Sequence, residues 1–286
     1  LPAQKAVRDT NISVRVLNFN WTPGGEKILF TFLHADKRVR GSSKTSVYSL
    51  DLKTGSVTPV IGSESNNPSM SPDGKMIAYT KYVENGSSDI YLFDTKTKQS
   101  FPLAADTTRE MHPWWSPDGR QVTYCAERKG SGIDIYVIDV QSKQVRQITQ
   151  SGSHRSYSPV WSPDGKKIVY YYETGDNRDQ VYLTDPGGSF HQNLTHDTST
   201  HNFYPSWAGK NTIMYTRNST GIATMNPDGS GIYEIPGIKT YLARHHPRKK
   251  QVAYIGIMGE SGLMLIDLET GKKKVLIDDD TLYALL

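Results

Sequence analysis

Along most of the chain, apolar and polar residues alternate in short runs. "QVTYCAE" (Gln121–Glu127), "DIYVIDV" (Asp134–Val140), "DIYLFD" (Asp89–Asp94) and "QVYLTD" (Gln180–Asp185) place β-branched or aromatic residues at every second position. That is the period of a β-strand whose two faces meet different surroundings. Turn signals such as "SPDG", "PGGS" and "ETGK" bound the runs, with proline presetting φ and glycine supplying the tight corner. No segment shows the wider spacing of an amphipathic helix. The pattern predicts an all-β chain of many short antiparallel strands.

The runs belong to a repeat. "WSPDGKKIVYY" begins at Trp161, and related phrases begin at Trp21 ("WTPGGEKILFTF"), Met70 ("MSPDGKMIAYT"), Trp115 ("WSPDGRQVTYC"), Trp207 ("WAGKNTIMYT") and His245 ("HHPRKKQVAYI"). Successive anchors are 49, 45, 46, 46 and 38 residues apart, the length of one four-stranded propeller blade. The third unit reads most clearly: "MHPWW" as the first strand, "SPDG" as the turn, "QVTYCAE" and "DIYVIDV" as the second and third strands, and "VRQIT" as the fourth. The expected architecture is a single-domain six-bladed β-propeller over 1–286. Its blades fall at about 11–62, 63–106, 107–152, 153–197, 198–238 and 239–286. Residues 1–10 and the tail "DDDTLYALL" lie outside the regular units, and either is expected to complete a blade by pairing with the opposite end of the chain.

The W-S-P-D-G…Y phrase followed by D-I-Y-x-x-D resembles the TolB-like six-bladed β-propeller family, with WD40-like repeats. It is also similar to the propellers of prolyl-oligopeptidase-type enzymes and of oligogalacturonate lyase. The resemblance covers about residues 12–278. It implies an exported chain, periplasmic or secreted, and the start at Leu1 rather than Met fits a mature form with its signal peptide removed. Unit one has "TPGG", unit five "AGKN" and unit six "HPRK" where the others have "SPDG".

Composition narrows the function classes. A net charge of +4 with no clustered basic stripe argues against nucleic acid. No apolar run is long enough to predict a transmembrane segment. Cys125 is the single cysteine, so no internal disulfide forms, and its apolar run predicts a buried, inert thiol. Nucleophile elbows, zinc-protease helices and phosphate-binding glycine loops are absent, and no catalytic residue is assigned.

Strand direction sorts the loops into two ends. The anchor turns and the short hairpins between third and fourth strands share one end, whose repeated chemistry reads as structural. The opposite end carries the longer, variable loops, where sites usually lie. Counting back from the anchors brings candidates to that mouth. His112 and Tyr204 stand three positions before an anchor; Glu64, Arg109, Arg155 and His201 stand six before; His154 lies one further out. Arginine presents a fork to carboxylate or phosphate, histidine adds donors, and tyrosine adds a flat face with a hydroxyl.

These seven predict a ligand-binding mouth without a cofactor, for a protein segment or an anionic saccharide. The expected role is a non-catalytic binding module. Two alternatives follow from the resemblance: a polysaccharide lyase like oligogalacturonate lyase, using channel histidines and a divalent metal, and the gating propeller of a larger prolyl-oligopeptidase-type peptidase. Oligomeric state is not legible.

Overall fold

The computed structural model describes residues 8–286 except 84–85, 107–108, 129–131, 174–177, 198 and 219. Among the described residues twenty-four strands follow one another in chain order, β1 (Ile12–Trp21) to β24 (Lys273–Ile277), and form six antiparallel groups of four consecutive strands. The first strands are β1, β5 (Ser65–Met70), β9 (Arg109–Trp115), β13 (Arg155–Trp161), β17 (Asn202–Trp207) and β21 (Ala243–His245). In the third unit, β10 (Gln121–Glu127) pairs with both β9 and β11 (Ile133–Asp139), and β12 (Val145–Gln147) lies on the outside. Single parallel bridges, Ser88 to Arg109 and Ile133 to Arg155, link units two, three and four at their loop ends.

Six hydrophobic clusters hold the ring, one at each junction. Leu29, Val47 and Ile61 of unit one meet Ile77, Tyr79 and Phe93 of unit two. Equivalent clusters join the units onward. The last joins Val16, Phe19 and Phe30 to Leu242, Ala253 and Ile255, so unit six closes on unit one. Burial along the middle strands departs from the alternation of the sequence. β10 is buried at every interior position and β11 from Ile133 to Ile138, because each blade is covered on both faces. The polar members of the alternating pattern, such as Thr31 and Thr123, are fully enclosed at these junctions. The fourth strands carry the solvent-facing edge, as in β12, exposed throughout.

Every blade draws its four strands from one continuous stretch. The tail expected to complete a blade is instead a short helix, α1 (Asp279–Tyr283). Asp278 caps it by accepting from the Thr281 amide at 2.7 Å, and Asp279 and Asp280 complement the dipole of its first turn. Leu282 is fully buried in the closing cluster. At the other end, Arg8 pairs with Asp280, and the Asp9 amide donates to the Tyr283 hydroxyl at 2.7 Å; residues 1–7 lie outside the described residues. Among the described residues no helix is long and apolar enough to cross a membrane.

Candidate functional site

The first strands surround a central channel, and one local device shapes its loop-end mouth. In β5, β9, β13 and β17 the ladder skips at the same place, between Asn66 and Ser69, across His112–Pro113, between Tyr157 and Val160, and between Phe203 and Ser206. The residue three before each anchor has a left-handed backbone: Asn67 (φ 50°), His112 (φ 55°), Ser158 (φ 50°) and Tyr204 (φ 49°). Proline follows each one and has no N–H to give the ladder. A non-glycine residue held there costs on the order of 1 kcal/mol. Repeating that strain in four blades turns four side chains toward the axis.

Two tiers of six side chains result. The loop-end tier is Asn18, Asn67, His112, Ser158, Tyr204 and Leu242, lining a cavity of about 250 Å³. The tier one residue before the anchors is Asn20, Ser69, Trp114, Val160, Ser206 and Arg244, lining a second cavity of about 530 Å³ at the turn end. Arg244 and Trp114 come from opposite units, three and six, yet the guanidinium carbon lies 5.7 Å from the indole centroid. This cation–π pair lies in the lining of both cavities.

Arg244 brings a buried charge into the channel. Its side chain is buried, and its hydrogen bonds go only to neutral oxygens. Nη1 donates to the Ala243 carbonyl at 3.2 Å and the Tyr204 carbonyl at 3.4 Å, and Nε to Asn20 Oδ1 at 3.4 Å. Among the described residues Nη2 has no protein partner and no carboxylate offsets the charge. Burial pulls its pKa down to about 10. Burial and then the nearby Arg244 charge push His112 down to about 4, so its imidazole is neutral at pH 7. Its Nδ1 lies 3.4 Å from the Ser158 hydroxyl. Tyr204 packs edge-on against Tyr171 at 5.6 Å, and burial raises its phenol pKa.

The seven residues singled out from the sequence divide in two. His112 and Tyr204 enter the channel, and Arg109 stands at the edge of the loop-end cavity. Glu64, His154, Arg155 and His201 line neither channel cavity. Arg109 pairs with Glu127 at 3.4 Å, Arg155 with Glu173 at 3.7 Å, and His201 faces Asp179 at 3.5 Å, all on half-exposed or open rim. His154 rests against Tyr172, with ring centroids 5.7 Å apart, and Glu64 is exposed. Arg244, Trp114 and Asn20 were missed. Their signal is positional: each directly precedes an anchor. Among the described residues no group of three or more His, Cys, Asp or Glu is gathered to hold a metal ion, so the three histidines do not form a ligand set.

Comparison with known proteins agrees with this architecture. The family model described as the TolB beta propeller domain matches residues 7–240. TolB from Acinetobacter baumannii is 25% identical, with a TM-score of 0.62 over 78% of this chain and 55% of that one. The chain thus spans about half the length of that relative. A putative TolB from Agrobacterium tumefaciens is 21% identical, with a TM-score of 0.60 over 78% of this chain and 80% of that one. The propeller domain of the Trilobed protease from Pyrococcus furiosus, described as having an open velcro topology, has a TM-score of 0.61 at 14% identity, over 96% and 98% of the two chains. No curated protein matches the chain. The repeated turns, the six four-stranded units and the family match converge: this chain belongs to the TolB β-propeller family.

Proposed function

We propose that the chain is a non-catalytic binding module whose loop-end mouth takes an anionic polypeptide segment. The observation that carries this reading is the buried Arg244 guanidinium at the base of a polar mouth, without a carboxylate to offset it. A buried cation left without a counter-charge is costly, and an incoming carboxylate supplies it with a charge-assisted hydrogen bond. Asn18, Asn67 and neutral His112 add donors and acceptors around it. Export to the periplasm or the cell exterior belongs to the same reading, resting on the family resemblance, and cell fractionation tests it.

Thermal stability is measured with an oligoglutamate peptide, an oligolysine peptide and an oligogalacturonate, since a ligand that binds the folded state raises Tm by mass action. The oligoglutamate is expected to raise Tm, and His112→Asn/Tyr204→Asn, which suits the left-handed backbone, is expected to abolish the shift. A response to the oligogalacturonate alone would transfer the reading to acidic saccharides. No response to any anion would overturn it.

A further inference from the structure

The turn end, plain in sequence, carries the larger cavity. At about 530 Å³ it is roughly twice the volume of the mouth and lies in the range of small-ligand sites. All five tryptophans of the chain, Trp21, Trp114, Trp115, Trp161 and Trp207, line it. Exposed prolines of the anchor turns, Pro23, Pro72, Pro117, Pro163 and Pro247, stand around the opening. Arg244 belongs to its lining as well.

Part of this wall is structural. Trp21, Trp115 and Trp207 each use the indole N–H to bond a neighbouring blade. Other polar groups are also committed: the hydroxyls of Ser71, Ser116 and Ser162 donate to Asp73, Asp118 and Asp164 within the turns, and Thr22 Oγ1 bonds with Lys27. A saccharide, which needs many hydrogen-bond partners, finds few here. Buried donors remain in this wall. Among the described residues Trp161 Nε1 and Ser206 Oγ are buried without a partner, in residues only 6% and 3% exposed, and Arg244 Nη2 has no protein partner. Ser206 and Arg244 hold the same position on adjacent first strands.

We propose that the turn-end cavity is a second ligand site, which shares Arg244 with the loop-end mouth but opens at the other end of the channel. It takes a monocarboxylate with an aromatic or branched apolar body. The carboxylate sits on Arg244, where a desolvated guanidinium binds it most strongly, and the body lies among the indoles and prolines. A free small acid and the C-terminal residue of a polypeptide share this chemistry.

Tryptophan fluorescence reads the site directly, because all five indoles line it. The protein is titrated with N-acetylphenylalanine, with its amide, and with a tetrapeptide ending in phenylalanine with a free C-terminus. The expected result is a saturable change with the acids and at least tenfold weaker binding of the amide. Tighter binding of the tetrapeptide identifies a chain terminus as the source; tighter binding of N-acetylphenylalanine identifies a small acid. Arg244→Gln is expected to lose the acid's advantage. Because Arg244 is buried and its loss can loosen the ring, Pro72→Glu/Pro163→Glu at the exposed rim gives a second test, with binding several-fold weaker at low salt. His112→Asn/Tyr204→Asn changes side chains that line only the mouth and keeps the shared Arg244, so it is expected to leave this binding unchanged and tells failure of one site from failure of the other. Absence of a saturable change with either acid, equal binding of acid and amide, or loss of binding in the loop-end variant would each overturn the proposal.

Discussion

The indole Nε1 of Trp21 donates a 3.0 Å hydrogen bond to the backbone carbonyl of Arg244, joining the first unit to the last. The same bond recurs elsewhere in the ring. Trp115 donates to the Ser69 carbonyl at 3.0 Å and Trp207 to the Val160 carbonyl at 3.3 Å, each from an anchor to the residue before the preceding anchor. The anchor is therefore a staple between blades, and at Trp21 it also fixes the backbone of the channel arginine.

Trp21→Phe keeps an aromatic ring against His246, whose centroid lies 4.6 Å away, but removes the donor. Arg244 stays paired with Ala253 in its own ladder, so the change removes one hydrogen bond, worth about 1 kcal/mol. Denaturant unfolding is expected to show that loss, with a Tm lower by several degrees. An unchanged midpoint would show that the closing cluster alone holds the ring.

Trp161 is the exception that tests the staple. Among the described residues its Nε1 has no partner, whereas the Trp115 Nε1 has one. Trp115→Phe is expected to destabilise by about 1 kcal/mol more than Trp161→Phe, the net worth of one hydrogen bond. Equal losses in parallel urea titrations would assign both effects to packing.

Two buried groups give opposite pH slopes. His112 titrates near 4 in the folded protein, below its unfolded value, for burial and the Arg244 charge disfavour the imidazolium. Its contribution is present above about pH 6.5 and lost as pH falls toward 4. Glu110 is raised to about 8, by burial first and then by Asp106. Its contribution is present below about pH 4.3 and lost as pH rises through 8. Glu110→Gln is expected to gain several kcal/mol over wild type at pH 8 and little at pH 4, the rise to about 8 spanning more than three pKa units of about 1.4 kcal/mol each. His112→Asn is expected to remove the loss between pH 6.5 and 4. Stability measured across pH 4–8 checks both, and parallel curves for wild type and variants would contradict them.

Cys125 is fully buried, and burial pushes its thiol pKa well above the usual value. A disulfide-exchanging reagent is expected to leave it unmodified in the native protein and to react promptly in denaturant. Fast native labelling would mean that β10 opens locally.

The strands, turns and units were legible because their signals are local. Pro and Gly act on their own turn, and Ser116 meets Asp118 two residues away at 2.6 Å. The mouth was legible in part. Counting three back from an anchor finds His112 and Tyr204, because the x-Pro bulge recurs in register. Counting six back finds Arg109 and Arg155, but not that Glu127 and Glu173 on the paired second strands neutralise them. The tail misled, because an apolar "TLYALL" reads equally as strand or helix until the Asp278 cap is considered.

The sequence by itself determined a repeated four-stranded unit, its turns and the orientation of its loops, since each depends on contacts within some fifty residues. Only the tertiary structure decided what the channel contains. Trp114 and Arg244 are far apart in the chain and unremarkable in their own strands. They meet because six units arranged around one axis bring the same register position of opposite first strands face to face, leaving a buried charge that no local pattern announces.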